Sequence, residues 1–162
     1  MPITSADIEY RLSGGAANSN PDASLGGAKS SELAPVDLFD DVSSAESAAG
    51  DTEYRCFYVH NAHATLTLQN AVVWIVSNTT GNRIAIGVGT SAVNGTEQTL
   101  ANENTAPAGV TFSQPASKGA GLALGSLPPG QHKAVHIRRA VAAATSAAND
   151  TYTLRVEGDT AA

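Results

Sequence analysis

The chain of 162 residues is short of several things at once. It has a single cysteine, a single tryptophan, 5% aromatic and 15% charged residues, where an ordinary soluble domain is about 25% charged. One cysteine, Cys56, excludes an internal disulfide and fits synthesis in a reducing compartment. A domain of this size buries enough surface to need no staple. The longest apolar runs, such as residues 72–76, fall far short of the roughly 18 residues that span a bilayer, so no membrane helix is expected. Met1-Pro2-Ile3-Thr4-Ser5-Ala6-Asp7 has neither a basic region nor an apolar one, and no secretory signal peptide is expected. Basic residues are few: nine Lys and Arg against fifteen Asp and Glu, a net charge of −6. That balance argues against nucleic acid as a partner, and the composition excludes a coiled coil.

The charge that is present is unevenly placed. Residues 1–53 hold ten acidic groups and only Arg11 and Lys29 as bases, a net −8, whereas residues 54–162 carry +2. This reads as an acidic N-terminal arm over residues 1–35, a short helix and linker over 36–52, and a β-domain over 53–162. Within the arm, Ile8, Tyr10 and Leu12 alternate with Asp7, Glu9 and Arg11, the period of a half-buried strand. Residues 13–31 are Gly, Ala, Ser and Asn around Pro21, with Leu25 as the one sizeable aliphatic side chain. Such a stretch has little to bury, so the arm is expected to be mobile alone and to order against a neighbour. Pro35 and the spacing of Val36, Phe39 and Val42 predict a helix near residues 36–48, ended by Gly50.

From residue 53 the pattern changes. Segments 53–60, 64–77, 83–88, 110–112, 122–127, 131–141 and 151–157 are rich in β-branched or aromatic residues and mostly alternate. Asn70 is placed to split the second of these with a bulge. Turn signals separate them every 8–15 residues or so, with no βαβ spacing, and residues 142–148 form an Ala-rich connection. The expected fold is all-β, an antiparallel sandwich, immunoglobulin-like or jelly-roll-like, with an extended arm and one short helix.

The chemistry-bearing residues do not form a reactive set. His60-x-x-His63 and His132-x-x-x-His136 have spacings a zinc site can use, but structural zinc draws on cysteine and only one exists. Asp37, Asp40 and Asp41 lack the alternation, glycine and closing glutamate of a calcium loop. Gly87-Val88-Gly89 lacks the third glycine and the following helix of a dinucleotide site. No nucleophile elbow, phosphate loop or His-Glu-x-x-His occurs. The expectation is no catalytic residue, no metal and no cofactor. Lys133, His136, Arg138 and Arg139 form the one basic cluster, a contact patch best matched to the acidic arm of the same or another copy. Trp74, in an apolar run, is expected in the core; exposed, it could join Tyr54 or Tyr58 as the platform of a carbohydrate-binding module.

Three stretches carry a likeness. They are Ile8-Glu9-Tyr10-Arg11-Leu12-Ser13-Gly14-Gly15 with Ser24-Leu25-Gly26-Gly27, then Gly50-Asp51-Thr52-Glu53-Tyr54-Arg55-Cys56-Phe57-Tyr58-Val59-His60-Asn61, and Leu127-Pro128-Pro129-Gly130-Gln131. With the acidic, small-residue arm, they resemble small structural proteins of tailed-phage virions. The resemblance implies a multicopy capsid decoration (cement) subunit, made in the host cytoplasm and located in the virion, or a tail or baseplate accessory subunit. Its partners would be the major capsid protein and other copies of itself, as a homo-oligomer. The arm residues Ile8, Tyr10, Arg11, Leu12 and Leu25 would form the interface by adding a strand to a neighbour's sheet edge.

Overall fold

A computed structural model describes residues 1–79, 83–145 and 150–160. Seven strands account for the core: β1 (Ile8–Leu12), β2 (Asp51–Asn61), β3 (Leu68–Asn78), β4 (Ile84–Val88), β5 (Leu122–Leu127), β6 (His132–Val141) and β7 (Tyr152–Thr160). They form two antiparallel sheets, ordered β1-β2-β6-β4 and β5-β3-β7, packed face to face as the expected sandwich. Alternation supplies the shared core. Phe57 and Val59 of β2, Ile84 and Ile86 of β4, and Val135 and Ile137 of β6 meet Val73 and Ile75 of β3, Leu124 and Leu127 of β5, and Val156 of β7. Each such side chain, fully buried, contributes about 1.5–3 kcal/mol. Asn70 does mark a bulge: its φ is +50°, the β3 register shifts on either side of it, and its amide donates to Asp159 Oδ2 at 3.0 Å. Asparagine tolerates this left-handed conformation better than most residues.

Three expectations need correction. Residues 36–42 are not helical, and the one α-helix, α1, spans Ser44–Ala49. Its start signal is the capping box: Ser43 Oγ accepts from the Glu46 N–H at 3.2 Å, and Glu46 Oε2 accepts from the Ser43 N–H at 2.6 Å. Upstream, the chain instead sets adjacent Leu38 and Phe39 against the domain and leaves Val36 94% exposed. Residues 110–112 do not form a strand; a single bridge joins Ser113 to Ile86, each N–H bonding the other's carbonyl at 2.9 Å. Part of the Ala-rich connection, residues 146–149, lies outside the described residues.

The third correction concerns the arm. It is extended, but it lies along its own domain. β1 pairs with β2 from Ile8↔Asn61 to Leu12↔Phe57, so the strand addition expected on a neighbour occurs within the chain. Beyond β1, residues 13–31 take over the same edge of β2. The Cys56 N–H donates to the Ser24 carbonyl at 2.7 Å, and Ser13 Oγ donates to the Cys56 carbonyl at 2.7 Å. The Leu100 N–H donates to the Leu25 carbonyl at 2.7 Å, and Tyr58 Oη donates to the Gly27 carbonyl at 2.5 Å. Gly26 makes this approach possible: its φ is +94°, and a Cβ there would overlap the Gln98 carbonyl. The glue is backbone hydrogen bonding between small residues, which leaves no apolar signature in the sequence.

These loops cover the outer face of the four-stranded sheet. Cys56, Tyr58, Ala134 and His136 lie there with no exposed surface. Both faces of that sheet are therefore buried, one by the second sheet and one by irregular chain.

Candidate functional site

The most charged region of the structure grows from the start of β2. Period two places Glu53 and Arg55 on the same face as Phe57 and Val59, where charged residues are not expected. Glu53 is 2% exposed and Arg55 is fully buried. The antiparallel register sets Arg139 of β6 opposite Glu53. Arg139 Nε donates to Glu53 Oε2 at 2.7 Å, and its Nη groups reach Glu53 Oε2, the Asp40 carbonyl and, at 3.3 Å, Asp40 Oδ1. Arg55 Nη2 lies 2.7 Å from Glu103 Oε2, 3.6 Å from Asp22 Oδ1 and 3.9 Å from both Asp40 Oδ1 and Glu53 Oε1. The Phe39 ring faces both guanidiniums, 5.4 Å from that of Arg55 and 4.8 Å from that of Arg139. Burial holds the Glu53 carboxyl above its ordinary value, with Arg139 opposing the shift. The acidic N-terminal segment thus does meet a basic residue of the predicted patch, Arg139, within one chain.

Phe39 and Leu38 anchor an irregular strap, residues 32–43, which crosses this cluster. Beside it lies an open groove of about 900 Å³. Buried Leu38, Ile84 and Val141 supply its apolar lining, and half-buried Tyr152 adds a hydroxyl pushed up to about 12 by burial and by the nearby charge of Asp37. Arg83 and Asp150 pair with each other at one side of it. The exposed lining includes Asp37 and Asp41, neither of which makes a hydrogen bond or ion pair among the described residues. On the same strap Leu33 is 58%, Val36 94% and Val42 42% exposed, three of the five large hydrophobics that face solvent among the described residues. Scattered apolar residues need no explanation, but here three fall within ten positions, beside carboxylates that are unpaired among the described residues.

Glu46, Asp51 and Glu53 bring one carboxylate oxygen each within 4.8 Å of one another, the arrangement that could hold a cation. Each is already used: Glu46 in the α1 cap, Asp51 as acceptor from Asn104 at 2.8 Å, and Glu53 by Arg139. The trio is explained without an ion.

The residues singled out in the sequence are distributed differently from expectation. Ile8, Tyr10 and Leu12 pack into their own core, and Arg11 pairs with Glu9 at 2.5 Å. Leu25 is half-buried, held through its backbone to Leu100. None of the five reaches outward as an arm. The predicted basic patch also comes apart, because alternation along β6 sends Lys133 and Arg139 to one face and His136 and Arg138 to the other. Lys133 donates to the Ser91 carbonyl, Arg138 sits 5.5 Å over the Phe112 ring, and His136 is fully buried. His60 and His132 oppose each other across β2 and β6, with ring centroids 6.5 Å apart. His63 Nδ1 instead accepts the N–H groups of Thr65 and Leu66, and His136 stands beside Glu97, so the four rings do not converge. Trp74 is buried at 6% exposure, Tyr58 is fully buried, and Tyr54 packs 5.5 Å from Phe112. The three do not form an exposed platform.

One buried group had no signal in the sequence. Glu97, in the long polar loop before β5, folds onto the outer face of the four-stranded sheet. Burial alone would raise its carboxyl, but the Ser91 N–H at 2.9 Å, Thr90 Oγ1 at 3.0 Å and Gln98 Nε2 at 3.3 Å hold it at about 2. His136 Nε2 lies 3.7 Å from Glu97 Oε1, and burial lowers the imidazole's value below its ordinary one despite that carboxylate. The Tyr58 hydroxyl accepts from the Glu97 N–H at 2.9 Å, closing the loop onto the sheet. Compared with known protein families, curated proteins and solved structures, the chain matches none.

Proposed function

We propose that this chain is a non-enzymatic structural subunit of a tailed-phage virion, a decoration (cement) protein that binds the assembled head and stabilises it. The observation that carries the reading is how the polar side chains are spent. The buried charges tie irregular segments onto the sandwich: Arg55 and Arg139 hold residues 22, 40 and 103, and Glu97 holds the 90–98 loop. What faces outward beside the groove is an aliphatic, acidic strap, which suits a protein contact better than a chemical step. Antiparallel sheets whose loops are pinned by hydrogen bonds give a stiff unit suited to repeated copies on a surface. The likeness of the three quoted sequence stretches to virion proteins supports a location on the particle, and the major capsid protein is the partner it implies. Electron microscopy of particles assembled with and without the protein tests this. Added density on the head, with particles that resist heat better, is the expected result. Density on the tail would make it an accessory tail subunit, and absence from purified particles would remove the virion role.

A further inference from the structure

We infer that residues 33–42 and the groove beside them dock a segment of another protein that carries lysine or arginine among aliphatic side chains. This rests on the assembly role proposed above and names the chemistry of the partner. Leu38 and Phe39 turn inward, and Asp40 turns back to Arg139 and Arg55. These inward anchors, with the bridge of Leu33 to Arg11 at its start, hold the strap against the domain, so its outward side chains are presented from an anchored backbone. Val36, Asp37, Asp41 and Val42 are those side chains, and all four are exposed. Val36 and Val42 offer apolar surface that water disfavours. Asp37 and Asp41 line the groove with carboxylates that are unpaired among the described residues, whereas its two cations, Arg83 and Arg139, are each neutralised within the chain. An incoming ammonium or guanidinium therefore meets free negative charge over an apolar lining, and an aliphatic neighbour finds Val36, Val42 and the groove.

The occupant is not a second copy. The chain carries −6, and its most exposed described cations, Lys118 and Arg155, both already pair with Glu157, at 3.2 and 3.6 Å. Two copies brought together through this strap would face like charge, which opposes association.

The test is amide-resolved NMR of the full chain titrated with a short synthetic peptide of lysine, valine and serine. Two controls replace its lysines by glutamate or its valines by serine. The expected result is shift changes confined to residues 33–43, 83–84, 141–145 and 150–152, affinity that falls as salt is raised, and no binding of either control. Asp37→Asn with Asp41→Asn should weaken binding by about ten-fold or more, since both charges are lost from one contact. Val36→Ser with Val42→Ser should do the same with less change in salt dependence. All four side chains are exposed, so an unchanged amide spectrum outside the strap verifies the fold of each variant. Unaltered affinity in the Asp37/Asp41 variant, shifts mapping elsewhere, no shifts at any peptide concentration, or concentration-dependent dimerisation through the strap would each overturn the inference. A protein that binds the peptide but is absent from particles loses the virion role and keeps this surface.

Discussion

Replacing Arg139 by methionine tests the charged cluster most directly. The change removes the guanidinium and keeps much of the stem, so packing loss is small. What is left is Glu53, 2% exposed, deprived of its bonded partner and retaining only Arg55 Nη2 at 3.9 Å. Breaking a buried pair by deleting one member costs about 3–5 kcal/mol, because the survivor stays desolvated and unmatched. Arg55→Met should cost less, about 1–3 kcal/mol, although Arg55 is the more buried of the two. Its nearest acid, Glu103, and Asp22 and Asp40 are 41%, 61% and 57% exposed and can return to water when it goes. The double change Arg139→Met with Glu53→Met should recover most of the loss, since an apolar pair of similar volume replaces the ionic one. Urea unfolding with linear extrapolation measures all four proteins. The pH dependence adds a second readout. The folded Glu53 value is raised above its unfolded one, so this group's contribution is full below the unfolded value and is lost as pH rises through the folded value. Arg139 opposes that rise, so removing it moves Glu53 further up, and the Arg139→Met deficit should shrink on acidification toward pH 4 or so. A deficit under about 1 kcal/mol, a larger one in Arg55→Met, or a double variant no better than the single would refute the reasoning.

Three further outcomes follow from the same geometry. Gly26→Ala forces a side chain into the left-handed region and against the Gln98 carbonyl, and should cost about 2 kcal/mol or more, with faster hydrogen exchange at the Cys56 and Leu100 amides; protection equal to the parent's would refute it. The Glu97 carboxyl sits at about 2 when folded, below its unfolded value, so its stabilisation is present above about pH 4.5 and lost as pH falls toward 2. Glu97→Gln should therefore lower neutral stability and flatten the acid limb of the stability profile, and an unchanged slope between those values would count against it. Deleting residues 1–31 removes β1, buried Leu12 and the acceptors and donors along the β2 edge, and should destabilise the domain by more than about 4 kcal/mol; a truncated chain with the parent's unfolding midpoint would show that the arm does not belong to the fold.

Much of the sandwich was readable because its strands carry their own signal. Ile84, Ile86 and Val88 alternate, as do Val135, Ile137 and Val141, and β-branched residues at period two can bury only one face. Asn70 was readable as a bulge because few residues accept its backbone conformation. Elements held by something other than apolar burial were not readable. The 36–42 segment has a helical spacing of apolar residues, yet the capping box lies at Ser43 and Glu46, and Leu38 and Phe39 are adjacent rather than a turn apart. Residues 13–31 look unable to fold because an apolar inventory cannot register hydrogen bonds made by serine hydroxyls and glycine carbonyls. The basic patch dissolved for a reason visible in advance: side chains at 133, 136, 138 and 139 cannot share one face of a strand.

The charge asymmetry left two directions open. An acidic N-terminal segment next to a nearly neutral body could reach for a basic neighbour or for the basic cluster of its own chain. The register of β2 on β6 brings Glu53 to Arg139, and the strap brings Asp40 to both arginines, while Asp22 and Glu9 find Arg55 and Arg11. No local pattern announces these pairs, because Glu53 and Arg139 meet only through a non-local strand pairing. Once they are made, the surplus is redistributed rather than cancelled. Part of it remains at Asp37 and Asp41, which the same anchors, Leu38, Phe39 and Asp40, hold at the surface beside Val36 and Val42. The inward ion pairs and the outward acidic surface are therefore one device: weakening Arg139 should loosen the strap and, with it, the presentation of the carboxylates it does not touch.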